Sequence, residues 1–362
     1  MSIYEHAIRP LLFRLDPERV HDAAILAGRA LGSNPVTRGA LSLLYRRERP
    51  ILAQRIAGVG FRNPVGLAAG FDKNARLTRV LPSLGFGFAE VGSVTARAYG
   101  GNPRPRLVRL PEDRAIIVNY GLKSDGAIAV RKRLRGRHAI PIGVNVAATN
   151  TRFASDDDAL DDWINGLRLL SESGDYLTIN LSCPNTHDPR NWCAPEMARE
   201  LIRRIESENL AFGKPVFLKL SADLATEDLD RIILLCRSRQ WITGFIIANL
   251  VKERKGLRLA SQHASRGGIS GVPVMPRSLA LVRRAYGKAG NRFVIIGCGG
   301  VFTAEDAYAY IRAGASLVQL VTGLIYGGPG TVKRINDGLA RLFKRNGFRN
   351  VRDAVGADRP PS

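Results

Sequence analysis

Residues Tyr176–Leu181 make an apolar run that ends in Asn180-Leu181-Ser182-Cys183-Pro184-Asn185-Thr186. A thiol at such a strand end, flanked by two amides, is suited to take a proton from a carbon acid. Its unperturbed pKa of about 8.5 leaves room for tuning. The alternative is a packing cysteine, and Cys193, Cys236 and Cys298 are read that way. Lys73, Asn145, Lys219 and Asn249 also stand at or just after the ends of apolar runs. Asparagine offers donors and acceptors together, which suits a flat heterocycle with amide-like edges. A lysine inside an apolar strand, as at Lys219, needs an electron-rich partner to offset its burial. Two glycine clusters, Gly297-Cys298-Gly299-Gly300 and Thr322-Gly323 followed by Gly327-Gly328-Pro329-Gly330, provide the backbone N–H groups that hold a phosphate. No G-x-G-x-x-G follows the first strand, so a dinucleotide site of the doubly wound type is not supported.

The elements that must position these groups recur along the chain. Strands are expected at Val65–Gly70, Phe86–Val91, Ile142–Val146, Tyr176–Leu181, Val216–Leu220, Gly244–Ala248, Phe293–Gly297 and Leu317–Leu320. Near-continuous apolar runs fit parallel strands covered on both faces, and parallel strands need helical crossovers. The expected fold is therefore α/β, a (β/α)₈ barrel with its chemistry at the C-terminal strand ends. The insert at 97–135 is expected to contain a small hairpin and a lid.

Before the barrel, Ile3, Tyr4, Ala7, Ile8, Leu11 and Leu12 share one helical face. Asp16-Pro17-Glu18 reads as an N-cap with proline at the first helical position, and that second helix stops at Gly32. The division is thus an N-terminal two-helix extension at 1–50, a barrel at 51–350 and a tail at 351–362. The helices either pack as a plain extension or present their apolar faces to a membrane at the mouth of a tunnel.

The chain has 362 residues, 54 basic against 32 acidic, for a net charge of +22. The arginines are spread through the expected outer helices with no aromatic interleaving, so solvated surface or anionic membrane is favoured over nucleic acid. The four cysteines show no metal or disulfide spacing, which points to a reducing compartment and no metal site. Ala313–Val332 lacks charge but holds five glycines after Ala313 and a proline, unlike a membrane span.

Several segments together resemble one family: Gly66–Lys73 (GLAAGFDK), Glu90–Thr95 (EVGSVT), Gly101–Arg106 (GNPRPR), Asn180–Thr186 (NLSCPNT), Gly267–Gly271 (GGISG) and Ala313–Gln319 (AGASLVQ). They resemble dihydroorotate dehydrogenases. Leu12–His21 (LFRLDPERVH) is similar to the N-terminal helices of the membrane-associated, quinone-using branch. The resemblance implies an FMN that takes hydride from a dihydropyrimidine while a side chain removes the ring proton, with electrons passing to a quinone. It implies FMN contacts at Ala69, Gly70, Lys73, Ser93, Asn145, Asn180, Lys219, Gly271, Gly300, Val321 and Thr322. It implies substrate contacts at Lys73, Asn119, Asn180, Asn185, Thr186 and Asn249, and makes Cys183 the base. A peripheral association with the cytoplasmic side of a membrane follows from the same branch.

The chain also departs from the family pattern, chiefly on the substrate side. The branch usually carries serine where Cys183 stands. A family asparagine is replaced by Val118, the hydroxyls around Asn249 by Ala248 and Leu250, and a Gly-Lys-Asn-Lys run by Ala147-Ala148-Thr149-Asn150. Three expectations therefore stand side by side: dihydroorotate oxidation, the same flavin chemistry on a different dihydropyrimidine or unsaturated ring, and a membrane-associated flavin protein without turnover.

Overall fold

The computed structural model describes residues 3–254, 257 and 266–358. The tail expected at 351–362 begins as a short helix, and its residues 359–362 lie outside the described part.

The N-terminal segment starts as a π-helical turn, Tyr4–Ile8, that runs into α1 (Arg9–Phe13). It continues through α2 (Pro17–Ser33) and α3 (Pro35–Tyr45). The Asp16 carboxylate accepts from the Arg19 N–H, as its N-cap position requires. Helix α3 goes beyond the two-helix expectation. Asn34 ends α2 and its side chain accepts from Val36 N–H to start α3, so one residue serves as C-cap and N-cap.

A hairpin of β1 (Gln54–Ile56) and β2 (Val59–Phe61) precedes the barrel. The barrel strands are β3 (Val65–Leu67) and β4 (Phe88–Val94); then, after the insert strands β5 (Leu107–Leu110) and β6 (Ala115–Val118), come β7 (Ile142–Val146), β8 (Tyr176–Asn180), β9 (Val216–Leu220) and β10 (Gly244–Ile247). Strand β11 (Gly268–Gly271) belongs to the insert sheet, and β12 (Val294–Cys298) and β13 (Leu317–Leu320) complete the barrel. The closed order is β10-β12-β13-β3-β4-β7-β8-β9, with parallel pairing throughout.

The outer helices are α4 (Ala127–Arg133), α5 (Asp156–Leu170), α6 (Pro195–Ser207), α7 (Thr226–Cys236), α8 (Met275–Ala289), α9 (Ala304–Ala313), the short α10 (Thr322–Gly327), and α11 (Thr331–Arg345). Helix α12 (Val351–Ala354) closes the described chain with Val351 and Ala354 buried. Ser155 and Thr303 each open a helix with a reciprocal capping box.

The barrel interior is filled by Phe88, Tyr176, Phe217, Ile246, Ile296 and Leu317. Facing glycines make room for the rings: a Cβ at Gly66 would lie 2.3 Å from Phe88, and one at Gly143 would lie 2.1 Å from Tyr176. The barrel is thus a packed core, and only its C-terminal mouth is left for chemistry.

The expected strand positions hold with small shifts. Strand β3 ends at Leu67; beyond it the Ala68 N–H still donates to the Leu320 carbonyl at 3.1 Å and the Gly70 N–H to the Gly92 carbonyl at 2.8 Å, with Gly70 turning at φ +106°. Strand β4 starts at Phe88 and extends to Val94. The 97–135 insert holds the expected hairpin, β5 and β6, but its third strand is β11, which comes about 150 residues later and pairs antiparallel with β6. Among the described residues no helix is long and apolar enough to cross a membrane.

Candidate functional site

Glu90 sits in the middle of β4 with no solvent exposure. Burying an isolated carboxylate is costly, so its partners are the key to this floor of the mouth. Lys219 Nζ lies 3.6 Å from it. Asn145 donates to it at 2.8 Å, and Thr178 and Gln319 donate at 3.1 Å each. Strands β4, β7, β8, β9 and β13 are therefore tied together under the site. Sequence reasoning did not single out Glu90; an acid within Phe88-Ala89-Glu90-Val91 was the available signal.

Above this floor, Asn180 donates to Ser93 Oγ at 2.8 Å, and Ser93 Oγ donates in turn to Asn145 Oδ1. Asn180 Oδ1 accepts from the Ser182 hydroxyl at 2.7 Å and N–H at 3.1 Å. Asn249 donates to Ser182 Oγ at 3.0 Å. The asparagines thus fix one another's orientation rather than standing as independent turn formers.

Two adjoining cavities lie over this network. One, of about 140 Å³, is lined by Ala69, Gly70, Lys73, Lys219, Ser270, Gly299, Gly300, Val321 and Thr322, among others. Its walls are built for close backbone approach. Gly299 and Gly300 take φ +119° and +70°, and a Cβ at Gly300 would lie 2.5 Å from the Met275 Cβ. A Cβ at Gly323 would lie 2.2 Å from the Val301 carbonyl oxygen. The Ser270 and Thr322 hydroxyls bond each other at 2.8 Å on the same wall. Such a wall fits a ring system that ends in a phosphate.

The second cavity, about 90 Å³, is lined by Ser93, Leu122, Lys123, Asn180, Cys183 and Asn185, and shares Ala69, Gly70, Lys73, Val118, Tyr120, Lys219, Asn249 and Leu250 with the first. Burial pushes the Cys183 thiol up to about 11, against the smaller opposing effects of the Asn185 N–H and of Lys252 and Lys219. Cys193 and Cys236 are buried among apolar groups, whereas Cys298, read as a packing cysteine in the sequence, is buried but lines the glycine-walled cavity beside Gly299.

Not every residue singled out in the sequence reaches these walls. Asn145 and Gly271 do not line them: Asn145 is fully buried and accepts from Ser93, and the carbonyl oxygen of Gly271, at φ +118°, would lie 3.1 Å from a Cβ added at Gly300. Asn119 and Thr186 line an outer cavity of about 400 Å³ with Arg104, His187 and Arg266. Asn185 borders both chambers, and its amide donates to the Val118 carbonyl at 2.8 Å.

Three further residues complete the mouth. His21, from α2, comes within 3.2 Å of Lys73 Nζ and stacks edge-on against Phe71. Lys73 also sits 3.9 Å from the centre of the Tyr120 ring. Burial, then repulsion from Lys73 and Lys123, lowers His21 to about 2, so its ring is neutral. Burial, then Lys123, lowers Lys73 to about 7.

On the far side, α1, α2 and α3 roof an apolar cavity of about 370 Å³. Leu12, Val20, Ala24, Ala27 and Leu31 line it from the helices, and Leu77, Val80 and Leu84 from the barrel. His21, Phe71, Leu107, Ile116 and Ile325 wall both this cavity and the glycine-lined one. The helix faces around it leave Ile3, Ile8, Leu11, Leu15, Val36, Leu43 and Leu44 exposed.

A (β/α)₈ barrel with a glycine-walled cavity and a polar ring pocket at its C-terminal mouth defines an enzyme of the cofactor-holding barrel class. The model of the dihydroorotate dehydrogenase family matches residues 51–343. Proteins named dihydroorotate dehydrogenase (quinone) match nearly end to end. One from Mycobacterium sp. (strain KMS) is 41% identical over 97% of this chain and 98% of its own. One from Roseiflexus castenholzii is 42% identical over 98% and 96%. The crystal structure of ligand-free DHODH from Eimeria tenella superposes with a TM-score of 0.84 at 34% identity, over 96% of this chain and 100% of its own. The chain belongs to the dihydroorotate dehydrogenase family, and its full-length relatives carry the quinone designation.

Proposed function

We propose that this protein oxidises dihydroorotate to orotate on a bound FMN and passes the electrons to a quinone. The observation that carries this reading is the shared wall at His21, Phe71, Leu107, Ile116 and Ile325. It sets a cavity with a phosphate-type glycine cradle directly against an apolar cavity large enough for a quinone ring, and the polar ring pocket adjoins the same glycine-lined cavity through Lys73, Tyr120, Lys219 and Asn249. FMN supplies the hydride acceptor when bound there. Ala69, Gly70, Gly300, Val321 and Thr322 would hold it, Lys219 would offer it positive charge, and Ser93 and Asn180 would offer it hydrogen bonds. Asn145 acts from behind by accepting from Ser93, and Gly271 by its close approach to the Gly300 backbone.

In the ring pocket, Cys183 in its thiolate form takes the proton from the ring carbon next to the one that loses hydride. Lys73, Asn180, Asn185 and Asn249 orient the ring, and Asn119 and Thr186 border the route from the outer cavity. The helical segment 1–50 supplies the quinone cavity. Its exposed leucines, with arginines on the same helices, favour a peripheral seat on an anionic membrane surface.

Anaerobic mixing of the purified yellow protein with dihydroorotate tests this. Bleaching of the flavin band is expected. A flavin that stays oxidised with dihydroorotate but bleaches with dithionite would sink the reading. It would favour a second one, the same chemistry on another dihydropyrimidine or unsaturated ring, which Val118 and Leu250 in the ring pocket support. Under that second reading, Val118→Asn with Leu250→Thr should create dihydroorotate turnover, and no gain would count against it. Steady turnover with a quinone would eliminate a role limited to binding.

A further inference from the structure

The ring pocket carries more positive charge than its carboxylates balance. Three lysines line it: Lys73, Lys123 and Lys219. Lys219 is neutralised by Glu90 at 3.6 Å. Among the described residues, neither Lys73 nor Lys123 has a carboxylate within the 4.0 Å of an ion pair. The nearby acids are committed elsewhere. Asp72 accepts from the Arg76 and Leu77 N–H groups at 2.8 Å each. Asp125 is held by Arg76 at 2.9 Å and Arg133 at 2.8 Å. Asp22, across a neighbouring cavity, is exposed to water. Lys73 and Lys123 border the ring pocket on the same side as Tyr120, whose ring carries Lys73 on its face. The rest of that wall, Val118, Leu122 and Leu250, offers no side-chain hydrogen bond.

We infer that Lys123 is a second cationic contact for the substrate, which binds the carboxylate of an acidic dihydropyrimidine jointly with Lys73. This rests on the proposed function and deepens it. A pocket whose side chains have lost polar partners at 118 and 250 recognises its ring less by hydrogen bonding and more by charge. Two ammonium groups without an ion-paired carboxylate, Lys73 feeling only the more distant charges of Asp22 and Asp72, disfavour a neutral ring in a partly desolvated pocket and favour one bearing an anion. The repulsion that Lys123 exerts on Lys73 fits the same picture, because a carboxylate between them relieves it.

The test uses the FMN-loaded protein and follows ligand binding by the shift of the flavin spectrum and by equilibrium dialysis, with orotate and the carboxylate-free uracil as probes. Lys123→Gln should weaken orotate binding about 10- to 100-fold, the scale of one charge-assisted contact, and leave uracil binding unchanged. Lys123→Arg should restore most of the orotate affinity. Orotate bound by Lys123→Gln as tightly as by the wild type would overturn the inference. So would equal weakening toward orotate and uracil, which would mark a structural role. A wild-type protein that neither binds orotate nor is bleached by dihydroorotate would overturn the proposed function itself, and this inference with it.

Discussion

Glu18 on α2 and Arg106 just before β5 form a buried, multiply bonded pair. The Arg106 N–H and Nε donate to the carboxylate at 3.0 and 2.9 Å, Nη2 lies 2.8 Å away, and both side chains are almost fully enclosed. Arg104 adds a third cationic contact at 3.4 Å. The N-terminal helices are therefore bolted to the insert that walls the ring pocket, and are not a detachable anchor. Removing one partner leaves the other charged and buried, at a cost of about 3–5 kcal/mol. Glu18→Ala should lower the urea midpoint accordingly, whereas Arg104→Ala, at an exposed position, should change it little. A Glu18→Ala protein of wild-type stability would show that the latch carries no load.

Cys183 offers a kinetic test with a pH signature. Cys183→Ala should retain FMN and slow flavin reduction by dihydroorotate about 10²-fold or more. With the thiol held near 11, the reactive thiolate fraction rises roughly tenfold per pH unit below that value. The reduction rate constant should climb steadily from pH 6 toward pH 10 in stopped-flow traces at saturating substrate. Lys73, near 7, loses its charge over the same range, so substrate affinity should fall while the limiting rate rises. A flat limiting rate would remove Cys183 from the proton transfer.

The neutral His21 makes stability depend on acid. Its folded value near 2 lies below the ordinary histidine value of 6.5, so between the two the unfolded chain binds a proton that the folded chain refuses. That contribution to stability is present above pH 6.5 and is lost progressively as the pH falls toward 2. His21→Phe should flatten the wild-type decline in urea midpoint between pH 6.5 and 4. An unchanged slope in the variant would assign the decline to other groups.

Gly300 tests the cofactor bed. Its φ of +70° and the 2.5 Å that would separate an added Cβ from Met275 leave no room for a methyl group. Gly300→Ala should fold yet purify with less FMN, read from the ratio of flavin to protein absorbance. Full flavin content would place the phosphate elsewhere.

The apolar cavity predicts a split between half-reactions. Ala24→Phe places a ring inside the space under α2. Reoxidation by a quinone should slow at least tenfold, with dihydroorotate still bleaching the flavin at the wild-type rate. Equal slowing of both halves would argue against a separate quinone route.

The barrel was legible in the sequence because a parallel strand covered on both faces must be apolar throughout, and that pattern survives without neighbours. Ile142–Val146, Val216–Leu220 and Leu317–Leu320 came out residue for residue. The glycine clusters and Cys183 were also visible, since the backbone geometry and the reactivity they allow belong to the residue types themselves. Tertiary structure alone decided what depends on distant partners. The pairing of β6 with β11, the burial of Glu90 beneath Lys219, the His21–Lys73 contact and the latch of Glu18 on Arg106 each join segments that no local period connects. The resemblance implies ring contacts at Asn119 and Thr186, yet they border the outer cavity, because the chain paths after β6 and after β8, not residue type, place each side chain. Residue type and spacing limit which chemistry is available; which groups meet, and how far burial shifts them, is set only when the chain closes on itself.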